Sequence, residues 1–296
     1  MEGMREAIAK LNEERKEAAE LIMKNGVGPQ YVIFMTPAFD HTVTVGFLKS
    51  FYESAIILAQ NGIDCSFQCF GGDPYLAKVR NLLVSTCLKR FPQATDFFFL
   101  DADIEWDPHA VLKLVQRPEP IVAGIYPKKN DTIEFPAAVR MTKDGKQLIE
   151  KNGLLVADLV PTGFLRVKRH VYEEMAKVSP QYKDGTSGGE VCWNFFEMGF
   201  FKEDQGDGTA GQWWGEDYAW GRRAQSMGYD LFIYPDIEFG HRGGKTWRNN
   251  FVHSVNAVRE GNVKLADELI PAAMSAVEPE AVPEAPSLGA VSLAAD

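Results

Sequence analysis

Apolar residues in the first half of the chain alternate between short continuous runs and longer stretches with helical spacing. The runs "YVIFMTP" (31–37), "IDCSFQCF" (63–70), "FFFL" (97–100) and "PIVAGIY" (120–126) read as strands, and continuous apolar runs of this length suit strands buried on both faces. Between them, "VGFLKSFYESAIILAQ" and "LAKVRNLLVSTCLKRF" read as helices, stopped by Asn61-Gly62 and Pro92, with Gly71-Gly72 as a turn and a shorter helix over 108–116. Strands alternating with helices predict an α/β fold with a largely parallel sheet and helices on both faces.

The second half is patterned differently. "FPAAVRM" and "GLLVADLVPTGFLRVKRHVYEEMAK" predict shorter strands followed by a helix beginning near Arg169. The Gly- and Asp-rich stretch over 182–211 has the turn-residue density of surface loops or a hairpin. A helix over 217–227, a strand in "DLFIYPD" and a basic loop "HRGGKTWRNN" follow. At the ends, residues 4–25 are a candidate amphipathic helix closed by Asn25-Gly26, and the Ala-, Pro-, Glu- and Val-rich segment from 271 is expected to be disordered. The expected divisions are an N-terminal helix (1–26), a main domain (27–255), a helical extension (256–270) and a tail (271–296), with no internal repeat.

Composition narrows the function classes. The chain has 296 residues, 45% of them hydrophobic, enough for a sizeable core. A formal net charge of −10 disfavours broad attraction to nucleic acid or anionic membrane. No stretch approaches the ~20 apolar residues of a membrane span, and the charged N-terminus lacks a signal-peptide core, so a cytoplasmic protein is expected. Cys65, Cys69, Cys87 and Cys192 fit reduced thiols. Cys65 and Cys69, flanking Phe67, read as buried thiols on one strand face rather than a zinc pair, for which no second close ligand pair is present.

The chemistry concentrates in "TDFFFLDADIEWDP" (95–108), where a buried strand runs into Asp101, Asp103, Glu105 and Asp107. Unpaired carboxylates are costly to bury, so these acids either spill into solvent or face a cation. In open α/β sheets, ligands bind at the carboxyl ends of the strands, which favours the cation. Hard oxygen ligands suit Mg²⁺ or Mn²⁺, which commonly bridge a few carboxylates to substrate phosphates. Neither GxxxxGK[ST] nor a GxGxxG after the first strand is present, which counts against a P-loop NTPase and a Rossmann dehydrogenase.

Several features in order resemble the GT-A-fold, nucleotide-sugar-dependent glycosyltransferases of the family-2-like type, which include soluble phage members. They are "VRNLLV", "FFFLDADIEWDP" with its Asp-x-Asp, "PTGFLRVKRHVYEEM", "WWGEDYAWGRRAQSMGYDLFIYPD" with its Glu-Asp, and "FGHRGGKTWRN", spanning about residues 31–248. The resemblance implies a Rossmann-like, mostly parallel central sheet flanked by helices, with a smaller acceptor-side β region, the catalytic domain being 27–255. It implies a sugar donor activated by a nucleoside diphosphate, a UDP-sugar favoured, with Mn²⁺ or Mg²⁺ as cofactor and an inverting transfer.

Site roles follow from the same resemblance. Asp101, Asp103 and His241 would hold the metal, Asp101 also reaching the donor ribose. Thr36, Pro37, Arg80, Asn81, Arg242 and Lys245 would bind the donor, with Arg248 in the same basic segment. Asp217 would be the general base, with Glu216 beside it, and Trp213 and Trp214 would bind the acceptor. Plainer readings stand beside these: a solvated loop for His241 and the basic segment, an ordinary helix surface for Arg80 and Asn81, helix capping for Glu216-Asp217, and core packing for the tryptophans. Lys128-Lys129 and Arg166, Lys168 and Arg169 read as exposed.

The opening "TPAFDHTV" departs from the family pattern, in which an acid soon follows the first strand; Asp40 is the nearest candidate. The acceptor stays open among a glycan, a lipid-linked sugar, a protein side chain, a small molecule and a hydroxymethylated DNA base. The rival functions are a nucleotidyltransferase and a catalytically silent sugar- or nucleotide-binding module.

Overall fold

In a computed structural model, the described residues are 30–185, 187–201 and 212–260. The expected helix over 4–25, the tail from 271 and most of the extension over 256–270 lie outside them. The first half alternates as its pattern predicts: β1 (Tyr31–Ala38), α1 (Val45–Gln60), β2 (Asp64–Gly71), α2 (Leu76–Arg90), β3 (Asp96–Leu100), β4 (Ile104–Trp106), α3 (His109–Val115) and β5 (Ile121–Gly124). The second half continues with β6 (Ala138–Val139), β7 (Glu150–Lys151), β8 (Leu154–Leu159), β9 (Phe164–Lys168), α4 (Arg169–Val178), β10 (Gln181–Asp184), β11 (Glu190–Trp193), β12 (Gly199–Phe201) and β13 (Gln212–Trp214). It closes with α5 (Glu216–Ser226), β14 (Leu231–Tyr234), β15 (Glu238–Arg242), β16 (Thr246–Asn250) and α6 (Phe251–Arg259).

The central nine-stranded sheet has the order β2-β1-β3-β9-β5-β14-β8-β6, with β7 also paired to β8. Strands β1, β2 and β3 are parallel to one another, as are β5 and β14. Strand β9 lies antiparallel between β3 and β5, so those two point the same way. The sheet is therefore mostly parallel in strand direction, although β8 and β9 run against it. Every residue of β3 is buried. Phe97 and Phe99 face the side covered by α2, α4, α5 and α6, whereas Phe98 and Leu100 face α1 and α3. This two-sided burial accounts for the unbroken apolar run.

Three expectations are corrected. The basic stretch after β14 is not a loop: β15 and β16 form an antiparallel hairpin that also pairs with β4, a small second sheet. Its turn closes through Gly243, whose N–H donates to the Lys245 carbonyl at 2.7 Å, and the aromatic and β-branched Trp247 and Thr246 favour the return strand. Arg166 is fully buried rather than exposed. Its guanidinium donates to the carbonyls of Leu114, Arg117 and Glu119 and lies 3.7 Å from Asp96, fastening β9 to the segment after α3. Cys69 is exposed, because β2 is an edge strand. The Gly- and Asp-rich stretch includes the hairpin β10–β11. Among the described residues no helix is long and apolar enough to cross a membrane.

Candidate functional site

The acids that follow β3 diverge to different partners. Asp101 continues the β3–β9 ladder, its N–H donating to the Gly163 carbonyl at 2.8 Å. Its carboxylate accepts from Arg80 Nη2 at 3.1 Å and from the Tyr126 hydroxyl at 3.2 Å. Asp103 pairs with the Lys129 ammonium and faces His241 Nε2 at 3.5 Å. Glu105 pairs with Arg248 on the hairpin. Asp107 accepts from the His109 N–H at 3.0 Å, at the start of α3. Two strand-end carboxylates at i and i+2 would point the same way. Here β3 ends at Leu100 and the chain turns into β4, so Asp101 and Asp103 acquire separate partners.

Arg80 is the pivot of the site. It projects from α2, is 2% exposed, and pairs with both Asp101 and Glu216, the first residue of α5. Burial works to lower the guanidinium's value, but Asp101 and Glu216 together hold it above its ordinary range. Asn81 beside it is also buried: its amide donates to Asn194 Oδ1 at 3.0 Å and accepts from the Phe196 N–H at 2.8 Å. Neither residue lies on an ordinary helix surface.

Asp217 follows Glu216 into α5 and accepts from the Tyr218 N–H at 2.8 Å. Burial, then the neighbouring Glu216 charge, pushes its carboxyl up to about 6, with Arg80 opposing. The Tyr126 phenol is held well above its ordinary value by burial and by Asp101, which keeps it a hydrogen-bond donor.

A backbone register joins Asp103 to His241. In the β4–β15 pairing Ile104 lies opposite His241, and the Arg242 N–H donates to the Asp103 carbonyl at 2.8 Å. His241 Nδ1 sits 2.8 Å from the Pro127 carbonyl. Burial pushes the Asp103 carboxyl up, but hydrogen bonds from His241 and Lys129 prevail and hold it below the ordinary range. Among the described residues no three His, Cys, Asp or Glu side chains converge as one ligand set.

The other expected residues divide. Thr36 is buried at the end of β1, its hydroxyl without a hydrogen-bond partner among the described residues. Pro37 is in the same strand, and Asp40 accepts from the Thr42 N–H in the turn that follows. Arg242 donates to Thr246 Oγ1 at 3.3 Å, and Lys245 pairs with Asp131. Trp214 is buried, with Arg222 over its ring at 5.2 Å, whereas Trp213 is 62% exposed.

Sequence reasoning missed Tyr126, Gly163 and Lys129. Tyr126 ends an apolar run at the same edge as Asp101, a polar-tipped aromatic where a polar partner is available. Gly163 is required by close approach: a Cβ there would lie 2.2 Å from Asp101 Oδ2 and 2.3 Å from the Tyr126 hydroxyl. Lys129 carries no local signal, because its pairing with Asp103 depends on the fold.

No family model matches the chain, and no curated protein matches it. Among solved structures, a glycosyltransferase involved in the glycosylation of the major capsid of PBCV-1 aligns with 51% of this chain and 65% of its own, at 13% identity and a TM-score of 0.30. The chain thus spans less than two thirds of that protein's length.

Proposed function

We propose that the protein is a glycosyltransferase that takes a sugar from a nucleoside diphosphate, with Asp217 as general base and a divalent cation at Asp103 and His241. One observation carries the reading: Arg80 ties the Asp-x-Asp turn to the Glu-Asp helix start, so both carboxylate groups serve a single site at the ends of the strands.

The donor atoms fit a cation. A carbonyl only accepts, so His241 Nδ1 must carry the proton toward Pro127. With Nε2 also protonated the ring donates to Asp103 Oδ1; without that proton, Nε2 and Oδ1 are two acceptors 3.5 Å apart, between which a metal can take the proton's place. One carboxylate and one imidazole suit Mn²⁺ or Mg²⁺, which take their remaining ligands from water and substrate oxygens. A cation held there would act as a Lewis acid, offsetting charge on the departing diphosphate.

The chain's own groups supply the rest. Asp217, with its carboxyl at about 6, is ionised at neutral pH yet more basic than an ordinary aspartate. It suits removal of the acceptor hydroxyl proton during attack at the anomeric carbon, with inversion. Glu216 is committed to Arg80 and sets the start of α5. The exposed Trp213 indole offers a stacking face for an acceptor ring. The net charge of −10 favours a sugar or small-molecule acceptor over DNA.

The test is a Mn²⁺-dependent hydrolysis screen of UDP-, GDP-, ADP- and TDP-sugars, with Asp103→Ala in parallel. Slow release of one nucleoside diphosphate, lost in the variant, supports the proposal. A silent wild type with no metal-dependent nucleotide-sugar binding sinks it and favours a binding module.

A further inference from the structure

Both oxygens of the Asp103 carboxylate are engaged: Oδ1 faces His241, and Oδ2 takes the ammonium of Lys129. Lys129 belongs to the segment after β5, and that segment is braced on several sides. The Lys128 N–H donates to the Glu134 carbonyl at 2.8 Å, and its ammonium lies 3.0 Å from Glu134 Oε2. Asp131 takes both Lys245 and the Trp247 indole N–H from the β15–β16 hairpin. The Lys129 stem runs beside Gly243, where a Cβ would come within 3.2 Å of it. The backbone under Lys129 is thus held between loop and hairpin, while its side chain, paired with Asp103, is 37% exposed.

An ammonium and a divalent cation repel strongly at one carboxylate. A metal between His241 Nε2 and Asp103 Oδ1 would therefore push the Lys129 ammonium away from Oδ2. The flexible lysine stem would keep the displaced charge close by, within reach of a diphosphate brought to the same site. A lysine is well suited to this exchange, being a compact point charge on a movable arm.

Resting on the glycosyl-transfer reading, we propose that Lys129 is a diphosphate ligand held in waiting on Asp103, and that it passes from the carboxylate to the donor diphosphate as the metal site fills. Lys129 then opposes metal binding in the free protein and favours nucleotide binding once metal is present. The two ligands are coupled positively through one side chain, and the coupling is reciprocal.

The test uses the full chain and its Lys129→Met variant, which keeps the apolar stem and removes the charge. Binding of Mn²⁺ alone is followed by electron paramagnetic resonance. Binding of UDP, GDP, ADP and TDP in saturating Mn²⁺ is followed by calorimetry. The variant is expected to bind Mn²⁺ alone severalfold more tightly, and its cognate nucleotide about tenfold more weakly, as for loss of a charge-assisted hydrogen bond. A merely structural role would not tighten metal binding. Any other pair of signs, including no change in either, overturns the inference. If the wild type with Mn²⁺ binds none of the four nucleotides, the glycosyl-transfer reading falls and this inference with it. If the wild type binds one and the variant behaves identically, this inference alone falls.

Discussion

Arg80 Nη2 donates to Asp101 Oδ1 at 3.1 Å, and the same buried guanidinium pairs with Glu216. One cation on α2 therefore holds two carboxylates that the chain delivers from the end of β3 and the start of α5. The guanidinium carbon lies over the Phe99 ring, 5.7 Å from its centroid. The two acidic motifs are coupled through Arg80, because movement of either would take one of two partners from a buried charge.

Replacing Arg80 by methionine is expected to destabilise the fold by about 3 kcal/mol, since breaking a buried pair leaves its partner charges uncompensated. The loss is measured as a drop in denaturant midpoint. Arg80→Lys should recover part of the stability and less of the nucleotide-sugar hydrolysis, because an ammonium cannot reach both carboxylates in a planar fork. Equal recovery of both would argue that Arg80 only stabilises.

Asp217, with its carboxyl pushed up to about 6, yields a signed pH dependence. As the proposed base it must be ionised, so kcat/KM for transfer should rise with pH to about 6 and level off above it. Stability runs the other way. The folded value lies above the ordinary 3.8, so the stabilising contribution is complete below that value and is lost as pH rises through about 6. Asp217→Asn removes the ionisation. It should cut the rate roughly a hundredfold or more while raising stability above pH 6 by about 3 kcal/mol. Activity profiles and thermal melts at pH 5 and pH 8 read the two effects together.

The periodic parts of this architecture were legible in the sequence. The runs at 31–37 and 97–100 and the helical stretch at 45–60 became β1, β3 and α1 with boundaries close to those expected, because their apolar spacing states both type and burial. Strand β4, with three residues, was too short to show a period, and its partner β15 interrupts its own apolar pattern with Gly240 and His241. The site was legible as residue types and illegible as pairings. Nothing local in Arg80 or Lys129 says that their charges turn toward Asp101 and Asp103, since those contacts follow from tertiary register. The buried Arg166 misled for the same reason: a lone arginine in a strand reads as exposed unless the carbonyls that surround it are known.

Gly163→Ala tests the close packing around Asp101. The added methyl would stand 2.2 Å from Asp101 Oδ2 and 2.3 Å from the Tyr126 hydroxyl, so the hydrogen bond between them must break or the strand end must move. Overpacking of this kind costs about 1–3 kcal/mol. Nucleotide-sugar hydrolysis should fall further than stability, because the displaced group belongs to the site. Gly244→Ala is the control: no atom lies within 4 Å of a Cβ there, so stability should be unchanged. Equal behaviour of the two variants would remove Gly163 from the site's architecture.

Arg166 offers a test of the fold separate from the chemistry. Its guanidinium donates to carbonyls at Leu114 (2.8 Å), Arg117 (2.9 Å) and Glu119 (2.6 Å), and faces Asp96 at 3.7 Å. Burial draws its value down to about 10, with Asp96 the chief opposing influence, so it stays charged at neutral pH. Arg166→Met leaves those carbonyls without their donor and takes one of two cations from the buried Asp96, which keeps the Thr95 hydroxyl at 2.7 Å and Lys168 at 3.8 Å, and should cost about 3–5 kcal/mol. Adding Asp96→Leu removes a buried charge that has lost its Arg166 partner, and the double variant is expected to be more stable than Arg166→Met alone. Chemical denaturation of the wild type, the two single variants and the double completes the cycle. Nucleotide affinity measured well below each melting temperature should match wild type throughout, because Arg166 contacts none of the proposed site residues. A double variant no more stable than Arg166→Met would show that the carbonyl bonds, rather than the Asp96 charge, dominate the loss.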